Sequence, residues 1–378
     1  MDGYNPSPIM LTKTSLLLTF LSLGALATAK PLDVFFGTGG RGAEGIYHTT
    51  FNTDNGKFSS VKLAAKISSP GFLTFHPNGK ILYSVGRWEG GTGAVGYQVS
   101  GGELKEFTRM ACPDGGGCHI AVHPSGKFLL TAQYGGGSVA LFPLDSSGKL
   151  GEPTVTEHEG GSKVVERRQE SPHPHWTGFS PDGKYALVPD LGLDQIVIYK
   201  VDERKPAITR HGVGQSVPGG GPRHMRFSID GKFIYLLNEL TLSVTTFAWD
   251  AAKGTAKTLT TEPAISEQDK QGETFNSSAE ILVHPNGRFV YSSNRGHDSV
   301  SVYQANKRGM LKVVQVQPVR GAFPRNVNLT PDASWLLAAG ADSNTVAAHR
   351  VDPKTGKLLY QRGSIVNVPS PICILFAK

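Results

Sequence analysis

The chain has 378 residues, of which 46 are glycine and 39% are hydrophobic, a composition that suits many short strands joined by tight turns. The formal net charge is +7, but the basic residues are scattered and form no Lys/Arg block or basic–aromatic run, which argues against a nucleic-acid partner. Three cysteines without a Cys-x-x-Cys pair, and histidine-rich stretches without metal-ligand spacing, argue against a zinc site, so no metal and no cofactor are expected.

In chain order, Lys13 precedes the apolar stretch LLLTFLSLGALA, and Ala27-Thr28-Ala29 offers small residues for a signal peptidase. Residues 1–29 are therefore expected to be a signal peptide, with Met10 as an alternative start, and residues 30–378 an exported domain, periplasmic or secreted. The apolar core is short for a membrane span and no later stretch approaches about 20 apolar residues, so no membrane association is expected after cleavage.

Next come three strand-like segments, DVFFGTG, EGIYHTTF and SSVKLAAK, and then a turn that recurs: FHPNGK at 75–80, VHPSGK at 122–127, FSPDGK at 179–184, FSIDGK at 227–232, VHPNGR at 283–288 and, degraded, LTPDAS at 329–334. The third residues of these anchors lie 47, 57, 48, 56 and 46 apart, the period of a four-stranded propeller blade rather than of a helical repeat. Each anchor lies between two short apolar strands, and a third follows, as in HMRFSIDGKFIYLLNE and LSVTTFAWD. Each unit thus reads strand A, turn, strand B, loop, strand C, turn, strand D.

Room remains for one further unit, whose anchor falls where the chain is cut. SPICILFA at 370–377 reads as a strand A with nothing after it, and the three N-terminal segments as B, C and D with nothing before them. The expected fold is an all-β, seven-bladed propeller of four-stranded antiparallel blades, closed by a blade shared between the N- and C-termini, and a monomer. Cys112 and Cys118 bracket a Pro-Asp-Gly-Gly-Gly loop; spacing alone leaves a small disulfide ring open.

Because strands A and B of a hairpin are antiparallel, the start of A lies beside the end of B, on the face opposite the turn. Starts of A supply His119, His173 and His175, Arg223 and His224, Glu280, and Arg325 and Asn326; ends of B supply Arg87, Tyr134, Asp190, Glu239, Arg295 and His297. A titratable cluster at one axial end is where a small-molecule site is expected. His76, His123 and His284 sit in the turns and read as structural. An inter-blade ion pair is the alternative role for Arg295 and Glu239, and loop capping for Asp190 and Asp194.

SPHPH with FSPDGK and PDLGLD, GPRHMRF with LLNEL, SSAEILVHPNGRFVYSSNRGHDSVSVY, and FPRNVNLTPD with LLAAG, in this order, resemble the seven-bladed lactonase family that includes bacterial propeller-type 6-phosphogluconolactonases. The resemblance covers the mature chain. It implies a catalytic set of His175, Arg223, Glu239 and Arg295; the placement of strand ends on the axial face makes His119, His173, Asp190, His224, Glu280, His297 and Arg325 the expected substrate contacts. The resemblance further implies hydrolysis of a small sugar lactone, anionic or polyhydroxylated, and because no residue cluster offers a carboxylate-rich oxygen shell the hydrolysis is expected to be metal-independent. Carboxymuconate cyclisation, also found in that family, and a non-catalytic ligand- or protein-binding propeller are the alternatives. Either Glu239 or His175 could be the base. The chain departs from the family pattern at SSPGF, VGRW and QYGG, where relatives resemble NPS, VNE and ANY, which bears on the outer groups of the substrate. The expected export points away from a cytosolic phosphorylated substrate and toward another sugar or acid lactone.

Overall fold

The computed structural model describes residues 1–5, 31–40 and 42–377. The expected leader and its cleavage site therefore lie, beyond the first five residues, outside the described residues. In the five intact anchors, the glycine adopts φ of 69–72°, a left-handed conformation open to glycine at little cost. Ala333 of the degraded anchor makes the same turn at φ 54°, so that hairpin too is present.

These hairpins build seven antiparallel sheets. A representative blade runs Pro222–Phe227, Phe233–Asn238, Ser243–Asp250 and Thr255–Pro263, each strand paired to the next. The blade expected from both termini is present: Pro371–Phe376 pairs with Leu32–Thr38 from Val34↔Phe376 to Thr38↔Pro371, and Leu32–Thr38 pairs with Gly45–Asn52. Its outer strand is split into Lys57–Phe58 and Lys62–Lys66, an irregularity the sequence pattern did not announce.

Apolar side chains alternate along the inner strands and meet those of the neighbouring blade. Seven separate clusters result, one per interface. Leu187, Ile198, Met225, Leu236 and Phe247 fill one, and Val34, Phe36, Trp335 and Leu337 fill the one between last and first blades. The turns add polar ties. His76 Nε2 lies 3.1 Å from the Gly126 carbonyl oxygen of the next blade and His123 Nε2 3.0 Å from that of Gly183, which gives these two histidines structural roles. The described residues contain one α-helix, Glu267–Gln271, and no helix long and apolar enough to cross a membrane.

Candidate active site

The innermost strands are irregular at the axis. In a regular ladder adjacent side chains point to opposite faces, but the register shifts between Pro222 and His224, between Ser278 and Ile281, and between Pro324 and Asn326. Such bulges re-aim side chains. Consequently Arg223 and His224, although consecutive, both line one small cavity on the axis, together with His175 and Arg325. Before Gly178–Phe179 the chain is not laddered; it is held by a single bridge at Pro174↔Asp190 and by the His175 N–H donating to the Pro189 carbonyl at 3.0 Å.

Glu239, just past Phe233–Asn238, is the hub. Its Oε2 accepts from Arg223 Nε at 2.9 Å and lies 3.1 Å from Arg295 Nη2; its Oε1 accepts from Arg168 Nη2 at 2.8 Å. His175 Nε2 stands 3.8 Å from Oε2, outside hydrogen-bond range. Arg223 also donates to the Ala279 carbonyl and Arg295 to that of Ser278, while Arg295 Nε is buried without a partner. Above this hub opens a cavity of about 740 Å³ whose walls include Arg87, Asp114, His175, Glu239, Arg295 and Arg325. Among the described residues, Arg325 makes no hydrogen bond or ion pair.

Burial works against ionisation of Glu239, yet Arg295 and Arg223, followed by His175 and the Arg168 bond, outweigh it and hold the carboxyl well below the usual carboxylate range. The pKa of His175 is lowered too, with the opposite result for its charge. Burial first, then Arg223, lowers its pKa well below the ordinary histidine value despite Glu239, so the imidazole is neutral at neutral pH. Burial also lowers Arg325, with Arg223 adding to the effect, and pushes the Cys118 thiol up to about 11.

Known proteins carry the same architecture. The family model described as lactonase, 7-bladed β-propeller, matches residues 33–376. The chain belongs to this lactonase family. It is 33% identical over 339 residues to a 6-phosphogluconolactonase of Bacillus subtilis, covering 89% of this chain and 95% of that protein. It superposes on the periplasmic gluconolactonase of Pseudomonas aeruginosa with a TM-score of 0.81 at 27% identity, covering 92% of this chain and 99% of that one. A protein from Lactobacillus plantarum gives a TM-score of 0.86 at 25% identity over 92% of this chain.

In this lactonase the four residues expected to be catalytic, His175, Arg223, Glu239 and Arg295, converge within contact of one carboxylate. The inter-blade ion pair considered for Arg295 and Glu239 is present as well. Of the expected substrate contacts, Arg325 lines the cavity, whereas the others lie elsewhere. Asp190 is fully buried: it accepts the N–H groups of His173, Gly192 and Leu193 at 2.8–3.2 Å and pairs with His158 at 2.6 Å, so it caps the loop that carries His175. Asp194 is likewise a cap, accepting from Gln169, Gly219 and Gly221. His173 stacks on Tyr134 and its Nδ1 bonds the Tyr134 carbonyl, buttressing the cavity wall from behind. His297 bonds Ser299 within its own turn. His119, His224 and Glu280 lie deeper on the axis, below the cavity. For His224 and Glu280 that depth follows from the bulges, which a two-residue period cannot reveal; His119 sits in a regular ladder.

Two features escaped the sequence. Arg168 reaches Glu239 from the loop between blades, not from a strand end; the signal was the 57-residue interval, about ten longer than its neighbours. The glycine loop 115–117, with Cys118, forms one wall of the cavity. Cys112, Cys118 and Cys373 are free thiols, so residues 112 and 118 form no disulfide ring.

Proposed function

We propose that this protein hydrolyses a sugar lactone, anionic or rich in hydroxyls, in the 740 Å³ axial cavity without a metal ion. The observation that carries the reading is a neutral His175 beside a carboxylate that three arginines keep ionised, under a cavity into which Arg325 faces without a partner. The names of the relatives, 6-phosphogluconolactonase and gluconolactonase, support the same reaction class.

Hydrolysis needs an activated water, a cationic seat for the oxyanion and a proton for the departing ring oxygen. His175, uncharged and lining the cavity, is the base that removes the first proton from water. Glu239 is held too acidic to compete for it and acts as orienter, fixing Arg223 and Arg295 and stabilising the imidazolium that forms. Arg295 and Arg325 receive the oxyanion. The C–O bond of the ring then breaks as His175 returns its proton to the leaving oxygen. Four arginines, Arg87, Arg223, Arg295 and Arg325, outnumber the two carboxylates in the walls, Asp114 and the arginine-paired Glu239, which disfavours a bound cation and favours an anionic substituent on the substrate.

We further propose that the leader directs export and that the working form is a monomer starting near Lys30. The Lys13–Ala29 pattern supports the first and closure of the ring by its own termini the second. The test uses that form, checked by N-terminal sequencing and sedimentation, in a proton-release assay over aldonolactones with and without phosphate, in the presence of EDTA. At least one lactone is expected to be opened, with Arg295→Ala or Arg325→Ala lowering turnover about 10²-fold. No turnover by the wild type, or loss of turnover with EDTA restored by a divalent ion, sinks the proposal.

A further inference from the structure

We propose that the propeller axis carries a proton path from His175, through His224 and Glu280, to the face opposite the substrate cavity. The proposal rests on the lactone-hydrolysis reading and concerns a step that reading leaves open. Water attacking a lactone loses two protons: one passes by way of His175 to the ring oxygen, and the second leaves the new carboxylic acid, which ionises beside Arg295 and Arg325 and hands it to the His175 that has just given up the first. That second proton is released at the floor of the cavity, where His175 faces the axis as well as the mouth.

The axis offers that proton a way out. The ring of His224 lies 5.5 Å from that of His175 and 5.4 Å from that of His119, edge to face in both cases. Both rings line a cavity of about 80 Å³, large enough for water, that offers Arg223, Arg325 and Cys118 beside the apolar Phe72 and Ile372. Beyond it, His224 Nδ1 is 3.1 Å from Glu280 Oε2 yet lacks the geometry of a hydrogen bond and has no other partner. Glu280 is 1% exposed and accepts from Arg226 at 3.0 Å and Asn326 at 2.7 Å. Past Glu280, Arg226 and His119 line a second opening of about 450 Å³, whose rim carries Pro124 and Pro181 of the A–B turns and is therefore the opposite face.

The surroundings of His224 suit a carrier that does not trap its load. Arg223 and Arg226 on its own strand, and Arg295 and Arg325 from the following blades, all oppose a resting imidazolium, as does burial itself. His175 and His119 flank it as neutral rings. Glu280 is the one anion in contact, and it gains a full ion pair at the moment His224 takes a proton. The transferred proton then moves on through Glu280 and the His119 side to solvent, and each group returns to its starting state.

The path is tested by kcat at saturating lactone for wild type, His224→Phe and Glu280→Gln, at low buffer and with increasing imidazole, in H2O and D2O. If the path operates, kcat of His224→Phe falls about 10²-fold with KM little changed, its solvent isotope effect grows, and imidazole restores the rate saturably while leaving wild type unaffected. Glu280→Gln, which keeps the shape of the buried side chain, is expected to behave alike and serves if His224→Phe does not fold. Variants as fast as wild type, or slow variants that imidazole does not rescue, overturn the path while leaving hydrolysis intact. A wild type that opens no lactone overturns both.

Discussion

His119, His175 and His224 are 3–6% exposed and sit among arginines, so the fold keeps them as neutral imidazoles. In the unfolded chain each would take a proton below about pH 6.5. The unfolded state then binds more protons than the native state, and stability falls as the pH drops from about 7 to about 5. Glu239 acts in a lower window: with its folded pKa depressed, its contribution is complete above about pH 4.3 and is lost only as pH falls further, so it adds nothing to the slope between 7 and 5. The urea midpoint is therefore expected to be lower at pH 5 than at pH 7, and the gap to narrow in His119→Phe. Equal midpoints at the two pH values would contradict this account. At this scale the sequence could be read for which residues approach the axis, because antiparallel pairing brings the start of A to the end of B. It could not be read for what they do there. Asp190 closes its strand, where Asn238 holds the equivalent place, and Glu239 follows one residue later; the first is consumed by three backbone N–H groups and His158 while the second collects arginines, a difference made by a one-residue offset.

The A–B turn is the element that the sequence declares most openly, because its backbone admits few residues. Gly126 combines φ of 72° with close contact, since a Cβ there would lie 2.5 Å from His76 Nε2, the atom that bonds the Gly126 carbonyl oxygen. Gly126→Val should cost about 1–2 kcal/mol from the left-handed backbone alone, and more as the His76 tie is broken. Melting temperature is expected to fall while lactone turnover per folded molecule holds, because the turn is at the far end from Glu239. A Gly126→Val protein that melts like wild type would show the contact to be unimportant. Ala333 makes the same turn without glycine: Asp332 accepts from Thr330 and Ser334 and the Trp335 N–H donates to Thr330 Oγ1, the bonds that the Ser180 and Ser228 turns also make around their glycines, so the bonding pattern is kept and Ala333 takes the left-handed backbone at φ 54°. The same logic explains what was not legible. Lys62–Lys66 is readable as the outer strand in SSVKLAAK, but the two-residue Lys57–Phe58 is too short to alternate and Glu267–Gln271 buries no residue, so neither of these leaves a periodic signature.

A ring of seven blades has seven interfaces only when it is closed, and the seventh depends on the last strand. Ile374 and Phe376 complete the apolar cluster with Trp335 and Leu337, and Cys373 enters the cluster on the other side of the same blade, so Pro371–Phe376 contributes to two interfaces at once. It also steadies the axis. The Ile374 N–H donates to Asn326 Oδ1 at 2.9 Å, the same asparagine whose amide donates to Glu280, and Ile372 lines the small cavity beside His224. Deleting residues 370–378 therefore removes one wall of two cores, leaves Leu32–Thr38 and the last complete blade with exposed sheet surfaces, and loosens the support of Glu280. The truncated chain is expected to melt well below wild type and to aggregate, and a synthetic peptide of residues 370–378 added in excess should raise its melting temperature by supplying the missing strand. Thermal melting and sedimentation check this together: a truncated protein that stays monodisperse and melts with the full-length chain would mean that closure by the terminal strand does not hold the ring.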